Sequence, residues 1–290
     1  MSTRVLHFTI GPIQDFIFQA RRTRDLWGGS FMLSWLSGIA MTQVIKATGY
    51  IEFPAVHDDE RNPTDALLAA IIGTPFLNNP QPGIGSLPTR FKAIVPTGFD
   101  PATQVTDVVQ KTFEDAAEMV WREYVAHAVK SGSGTRAIWE RQVQNFWEYS
   151  WVLGEHPPDR TDLLWLDARK NWRMPAGTAQ EGGDHCTVMH AWQELSGWVR
   201  ACEPGKQNKF WTEIRKKVGR LDLRPDERLC AIAFVKRMLP KLAKNNLISK
   251  MIQLSRHIGR DCRHPEHRDV LRPLPSVASG FRQSLPERRF

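Results

Sequence analysis

No stretch of the 290 residues approaches the ~20 consecutive apolar residues that a membrane span needs. The N-terminus has no basic patch followed by an apolar segment, so a secretory leader is not expected. Cysteine is scarce: the four residues Cys186, Cys202, Cys230 and Cys262 include no close pair. That spacing argues against a disulfide framework and for reduced thiols in a cytoplasmic protein. A phosphate-binding loop with several glycines is also missing. The nearest approach, Gly11-Pro12 after the apolar run "VLHFTI", loses one backbone donor to the proline.

What the sequence does hold is a substantial interior and an uneven charge. Eleven Trp and a hydrophobic fraction of 41% suit a globular core in one large domain or two modest ones. The net charge of +8 lies wholly in the C-terminal part. From Lys206 onward there are 21 Lys and Arg against 8 Asp and Glu, whereas the preceding residues are net acidic. A basic segment attracts polyanions without naming one.

Periodicity divides the chain. Leu6, Phe8 and Ile10 alternate with Val5, His7 and Thr9 as in a strand, and Ile13, Phe16, Ile17 and Ala20 follow at helical spacing. Ser30 to Ala47 is apolar on most sides and predicts a buried helix, with Gly28-Gly29 as a close turn before it. "YIEFPAV", "RFKAIV" and "WEYSWVL" read as three further strands. Helical patterns at "TDALLAAII", Val109 to Tyr124 and "AIWERQVQNF" separate them. Strands alternating with helices on one face predict an α+β fold, a ferredoxin-like or palm domain over residues 1–155. A mainly helical region follows over 156–244 ("AWQELSGW", "FWTEIRKKV", "RLCAIAFVKRML"). Residues 245–290, basic and nearly free of aromatics, predict a disordered tail.

Several constellations invite a chemical reading. His57-Asp58 is the dipeptide of HD phosphohydrolases, but no helical His stands upstream to complete a metal site, and a solvated loop is the simpler reading. "EGGDHC" resembles a cyclase hairpin, yet Asp184 lacks an adjacent carboxylate and apolar flanking strands. "HCTVMH" with Cys230 downstream offers N and S donors, though zinc usually takes two close ligand pairs. "CRHPEH" in the tail offers Cys262, His264 and His267 with nothing to orient them.

Taken together, "FTIGPIQDFIFQARRTRDLWGGSFMLSWLSG" and, in order, "SLPTRFKAIVP", "RAIWERQVQNFWEYSWVLGE", "DARKNWR", "CTVMHAWQELSG" and "DERLCAIAFVKRMLP" resemble the first palm region of the large cyclase-like subunit of type III CRISPR effector complexes, Cmr type (subtype III-B). The resemblance spans residues 4–240. It implies a role in antiviral defence within a complex of Cmr subunits, crRNA and target RNA. The palm would be non-catalytic, scaffolding the complex and forming one wall of an ATP pocket. Gln14, Arg24, Gly29 and Ser30 would face the nucleotide through amide, guanidinium, backbone and hydroxyl donors. Packing of two helices is the alternative role for the same four residues.

The chain departs from that pattern. Neither an HD nuclease segment nor a second palm with GGDD is expected, so catalysis by this chain alone is not expected. The resemblance also implies a zinc-bearing insert with paired cysteines, and its positions read here as Cys186 with Met189 and Cys230 with Ala233. Half the usual ligands are missing, and Cys186, His190 and Cys230 are a remnant of a zinc site rather than a complete one. A truncated or frameshifted large subunit follows as the expectation. The rival readings are a free-standing basic nucleic-acid-binding protein and an inactive gene remnant.

Overall fold

The structure, a computed structural model, describes residues 3–74, 76, 85–155 and 181–242. Strands β1 (Thr3–Gly11), β2 (Tyr50–Phe53), β3 (Arg90–Pro96) and β4 (Glu148–Glu155) form one sheet in the order β2-β3-β1-β4, with every neighbouring pair antiparallel. The alternation read in the sequence sets the register. Phe8 stands opposite Phe91 and Trp151, and Leu6 opposite Ala93 and Leu153, so the large apolar side chains share a face. Phe8 meets the Phe91 ring at 5.3 Å and the Tyr149 ring at 6.4 Å between centroids. The fold is α+β, as the alternation of strands and helices predicts.

The helices are α1 (Gln14–Phe18), α2 (Thr23–Lys46), α3 (Ala66–Ile72), α4 (Asp107–Val120), α5 (Thr135–Asn145), α6 (Pro204–Val218) and α7 (Ala231–Leu242). The 24 residues of α2 span ~36 Å and are buried almost without break from Phe31 to Thr42. A helix apolar all round must lie inside, and α2 does. The polar groups it carries inward are satisfied locally. Ser34 Oγ donates to Leu87 O at 2.6 Å and accepts from Leu87 N at 2.6 Å, while Ser37 Oγ donates to Pro88 O at 2.5 Å. These bonds hold the approach to β3 against the helix. Helix α3 starts where Asp65 accepts from Leu68 N at 2.9 Å and stops at Gly73, whose φ of +88° few other residues tolerate.

One buried cluster runs from Leu6 to Leu239 and takes in α4 through Phe113, α5 through Trp139, α6 through Trp211 and α7 through Phe234. Trp139 touches both Trp121, at 5.3 Å between centroids, and Phe234, at 6.4 Å.

Two local expectations differ from what is found. Helix α2 begins at Thr23 and passes straight through Gly28-Gly29, so the glycine pair is a notch in a helix and not a turn between helices. "AWQELSGW" is irregular rather than helical: Gly197 adopts φ +68°, and the buried Glu194 carboxylate gathers Trp211 Nε1 at 2.5 Å, Ser196 N at 3.0 Å and the Ser196 hydroxyl. Burial raises the Glu194 pKa from its ordinary value, against the opposing pull of those hydrogen bonds. "FWTEIRKKV" and "RLCAIAFVKRML" are helical, in α6 and α7. "DARKNWR" and residues 245–290 lie outside the described residues.

Ser34→Ala leaves two buried backbone groups of Leu87 without their partner at almost no change of shape. It is expected to lower the unfolding free energy by about 2 kcal/mol, read from urea denaturation midpoints.

Candidate functional site

The segment after β1 carries the nucleotide-facing residues of the sequence reading, and its surroundings come from the far end of the described chain. Asp25 is 1% exposed in the first turn of α2, where a carboxylate suits the helix dipole. Its partner is Arg237 of α7, also 1% exposed: Nη2 lies 2.8 Å from Asp25 Oδ2, and Nε lies 3.1 Å from the same oxygen. Arg237 Nη1 meets the fully buried Glu227 at 2.9 Å and the carbonyl of Asp222 at 3.2 Å. Burial opposes the guanidinium charge, but Asp25 and Glu227 outweigh it and raise the Arg237 pKa further. Arg22 adds a longer contact to Glu227 at 3.6 Å.

A second layer surrounds that centre. Asp222 receives hydrogen bonds from both Arg24 and Lys241. Burial pushes its carboxyl up, and those two cations more than reverse the effect, holding it below the usual range. Lys236 is buried with its ammonium donating to Phe16 O at 2.6 Å and Gln19 O at 2.7 Å, 5.1 Å from the centroid of the Phe16 ring. Burial lowers its pKa to about 8, against the pull of Asp25. The glycine notch makes this possible. A Cβ on Gly29 would lie 3.1 Å from Lys236 Cδ, and one on Gly28 would lie 3.3 Å from both Lys236 O and Pro240 Cγ. Bare backbone here lets α7 pack closely, where a Cβ would be tight.

The four residues that the sequence reading turns toward a nucleotide are placed unequally. Arg24 turns its guanidinium to Asp222, and Gly29 is covered by Lys236 and Phe16. Gln14 and Ser30 are exposed. On an ideal helix Arg24 and Ser30 point about 120° apart, so the fold does not gather all four on one face.

The other constellations hold loops together. Asp58 accepts from Asn62 N at 2.8 Å and Glu60 N at 3.0 Å, which ties its own turn. His57 is partly buried, and burial lowers its pKa. Glu181 receives Arg141 Nε at 3.1 Å and Gln193 N at 2.8 Å; Asp184 receives Arg200 N at 2.8 Å and Gln207 Nε2 at 2.7 Å. Of the proposed remnant zinc ligands, Cys186 and Cys230 are both buried, whereas His190 is exposed. Among the described residues no three His, Cys, Asp or Glu gather where a metal ion could be held. Zinc, which wants four N or S donors, does not fit the residues present. Also among the described residues, no helix is long and apolar enough to cross a membrane.

Sequence reasoning missed the Asp25–Arg237–Glu227 centre and the buried Lys236. The partners of Asp25 lie 212 positions away, and no periodic pattern joins them. The one available signal was a Lys-Arg pair at 236–237 in the otherwise apolar stretch 231–240.

Residues 5–126 match the family model described as CRISPR-associated protein Cmr2, N-terminal. A curated relative, the CRISPR system Cmr subunit Cmr2 of Pyrococcus furiosus, is 28% identical over 130 residues, which is 44% of this chain and 14% of the relative. The chain thus spans about a seventh of that protein's length. A cryo-EM structure described as type III-B Cmr-beta in the apo state shares the fold, with a TM-score of 0.50 and 17% identity, over 89% of this chain and 34% of that one. Residues 5–126 are thus similar to the N-terminal region that the family model describes.

Arg237→Met leaves the buried carboxylates of Asp25 and Glu227 without compensation and is expected to cost about 3–5 kcal/mol in denaturant unfolding. Lys236 makes a different prediction. Its folded pKa, about 8, lies below the ordinary 10.5, so between those values the unfolded chain binds a proton that the folded chain has released. Lys236 therefore makes stability rise with pH across that window. Lys236→Met should remove this rise when unfolding free energies are compared at pH 7.5, 9 and 10.5.

Proposed function

We propose that this chain acts as the N-terminal part of the large subunit of a type III-B (Cmr) CRISPR RNA-guided effector complex in antiviral defence. The observation that carries the reading is the coincidence of two independent results. The family match over residues 5–126 begins on β1 and covers β2, β3 and α4. The three strands in that segment, joined by β4 from beyond it, form a sheet in the order β4-β1-β3-β2 read from the other edge, which supports the reading of a ferredoxin-like palm. In this reading residues 1–155 are the palm, 156–244 a helical region with a degenerate zinc-insert motif and 245–290 a basic tail.

The partners in this reading are other Cmr subunits, reached directly, and crRNA and target RNA, reached through the complex. The palm is the non-catalytic wall of an ATP pocket. Two features of this chain support a passive role. The first strand has no Asp or Glu among its nine residues, so it offers no carboxylate to a catalytic metal. The buried ion cluster behind α1 and α2 keeps Arg24 turned to Asp222 and fixes the segment's shape, while Gln14 and Ser30 stand exposed for amide and hydroxyl contacts. Of the four nucleotide-facing candidates, Gln14 and Ser30 are therefore the direct ones; Arg24 and Gly29 position the segment.

Co-expression with the remaining Cmr subunits and crRNA tests the assignment. The chain is expected to co-purify with them, and its absence from the assembled particles would sink the reading. Within such particles Gln14→Ala combined with Ser30→Ala is expected to weaken ATP binding by about tenfold or more, measured with a fluorescent ATP analogue. Assembly should be unchanged by the double substitution, because neither side chain is buried.

A further inference from the structure

Arg215 of α6 and Arg228, shortly before α7, bring their guanidinium groups to a single acceptor. Arg215 Nη1 donates to Pro225 O at 3.2 Å, and Arg228 Nη1 donates to the same oxygen at 2.8 Å. Further bonds hold each cation in place. Arg215 Nη2 donates to Thr212 Oγ1 at 3.0 Å, Arg228 Nη2 to Asn208 Oδ1 at 2.7 Å, and Arg228 Nη1 also to Glu227 O at 2.9 Å. Every one of these acceptors is neutral. The carboxylates of the region are committed elsewhere: Asp226 lies 3.9 Å from Arg21, Glu203 2.9 Å from Lys206, and Glu227 2.9 Å from Arg237. Glu194 is engaged by Trp211 and Ser196, and Glu213 by the Ser131 hydroxyl.

Two cations on one carbonyl repel each other, and more of the same sign stand around them. Burial and then Arg215 lower the Arg228 pKa, and Arg200 adds to them against Glu194 and Asp226. Burial and then Arg220 lower the Arg215 pKa. Arg200 and Arg220 are exposed, as are Lys209 and Lys216 on α6. On an ideal helix Asn208, Lys209, Thr212, Arg215 and Lys216 fall within about 120° of arc, so these cations share one side of α6. From Lys209 to Lys216 that side runs ~10 Å.

A guanidinium is a planar fork whose donors match phosphate oxygens. Arg215 commits only two of its five N–H donors to the protein and Arg228 three, which leaves both able to take an oxyanion. A surface that gathers like charges and turns its carboxylates away keeps a positive potential until an anion covers it. Because the cations extend along two turns of α6 and beyond it, a chain of phosphates fits them better than a single ion. We propose that Arg200, Arg215, Arg220 and Arg228, with Lys209 and Lys216, form a docking surface for the phosphodiester backbone of an RNA strand. The choice of RNA as the strand rests on the effector-complex reading above; the phosphate chemistry does not. Contacts of this kind position a strand without reading its bases, so binding is expected to be independent of sequence.

The test titrates the full chain with a fluorescent single-stranded RNA of mixed sequence at several salt concentrations. Arg215→Gln combined with Arg228→Gln is expected to weaken binding by ~10-fold or more at low salt. The slope of log affinity against log salt should flatten by about 1.4, the value for two phosphate contacts on a single strand. Residues 245–290 are basic and attract RNA as well, so an equal loss of charge elsewhere is the control. Lys111→Gln with Arg122→Gln, in and just beyond α4, should change binding little. Arg215 and Arg228 also brace the loop at Pro225, so a second pair is needed that leaves this bracing intact. Arg200→Gln with Arg220→Gln, both exposed, should likewise weaken binding and flatten the slope. Undiminished binding in both arginine pairs, or an equal loss in the control, would overturn the proposal. So would displacement of the RNA by polyglutamate at matched charge, which would give the surface to an acidic protein. Co-purification with Cmr subunits is a separate measurement, so failure of the effector-complex reading and failure of this surface are told apart.

Discussion

The guanidinium of Arg237 is enclosed by carboxylates from opposite ends of the described chain, and the surrounding architecture has to keep it so. A charge taken out of water is tolerated only with partners in place, and here Asp25 and Glu227 supply them at hydrogen-bond distance. The pairing fixes α7 against the start of α2, in rotation as well as distance. The glycine notch, the Lys236 bonds to the carbonyls of Phe16 and Gln19, and the Arg24 and Lys241 contacts to Asp222 all depend on that placement. Packing alone would hold the helices together, but it would permit sliding. The ion centre is satisfied in this one arrangement of α2 and α7, where Asp25 and Glu227 both reach Arg237.

This constraint also explains how the exposed part of the segment is organised. Residues Gln14 to Ser30 would be a short helix and a helix start hanging off a strand. Backed by α7, they present a fixed surface in which Gln14 and Ser30 are outward and Asp25, Gly28 and Gly29 inward. A binding wall needs that kind of support, because groups that must be ordered at the moment of binding give up affinity to do it.

How far the sequence disclosed this depends on the range of each interaction. All four strands were legible because alternation is local: Leu6, Phe8 and Ile10 must share a face whatever lies elsewhere. The long buried helix was legible for the same reason, although its start was placed seven residues late. Gly28-Gly29 looked like punctuation, and only the approach of Lys236 and Pro240 explains why those glycines sit within a helix. The irregular path of "AWQELSGW" was hidden because a buried carboxylate, Glu194, overrides helical spacing by drawing in Trp211 and Ser196. Cys186 and Cys230 were singled out as chemical residues, yet their burial and the exposure of His190 come from the tertiary fold alone. Arg24 shows the limit most plainly. A basic residue beside a glycine pair suggests an anion site, and nothing nearby reveals that its anion is Asp222, 198 positions on.

The notch at Gly28-Gly29 has a consequence for inheritance. Those glycines and the Lys236–Pro240 segment are complementary shapes encoded more than 200 codons apart. A side chain added at the notch would press on Lys236 and Pro240, in the helix that also carries Arg237 to Asp25. A substitution at either end is therefore felt at the other. Recombination between them joins halves from different lineages, and such a chimera would meet its first test at this contact.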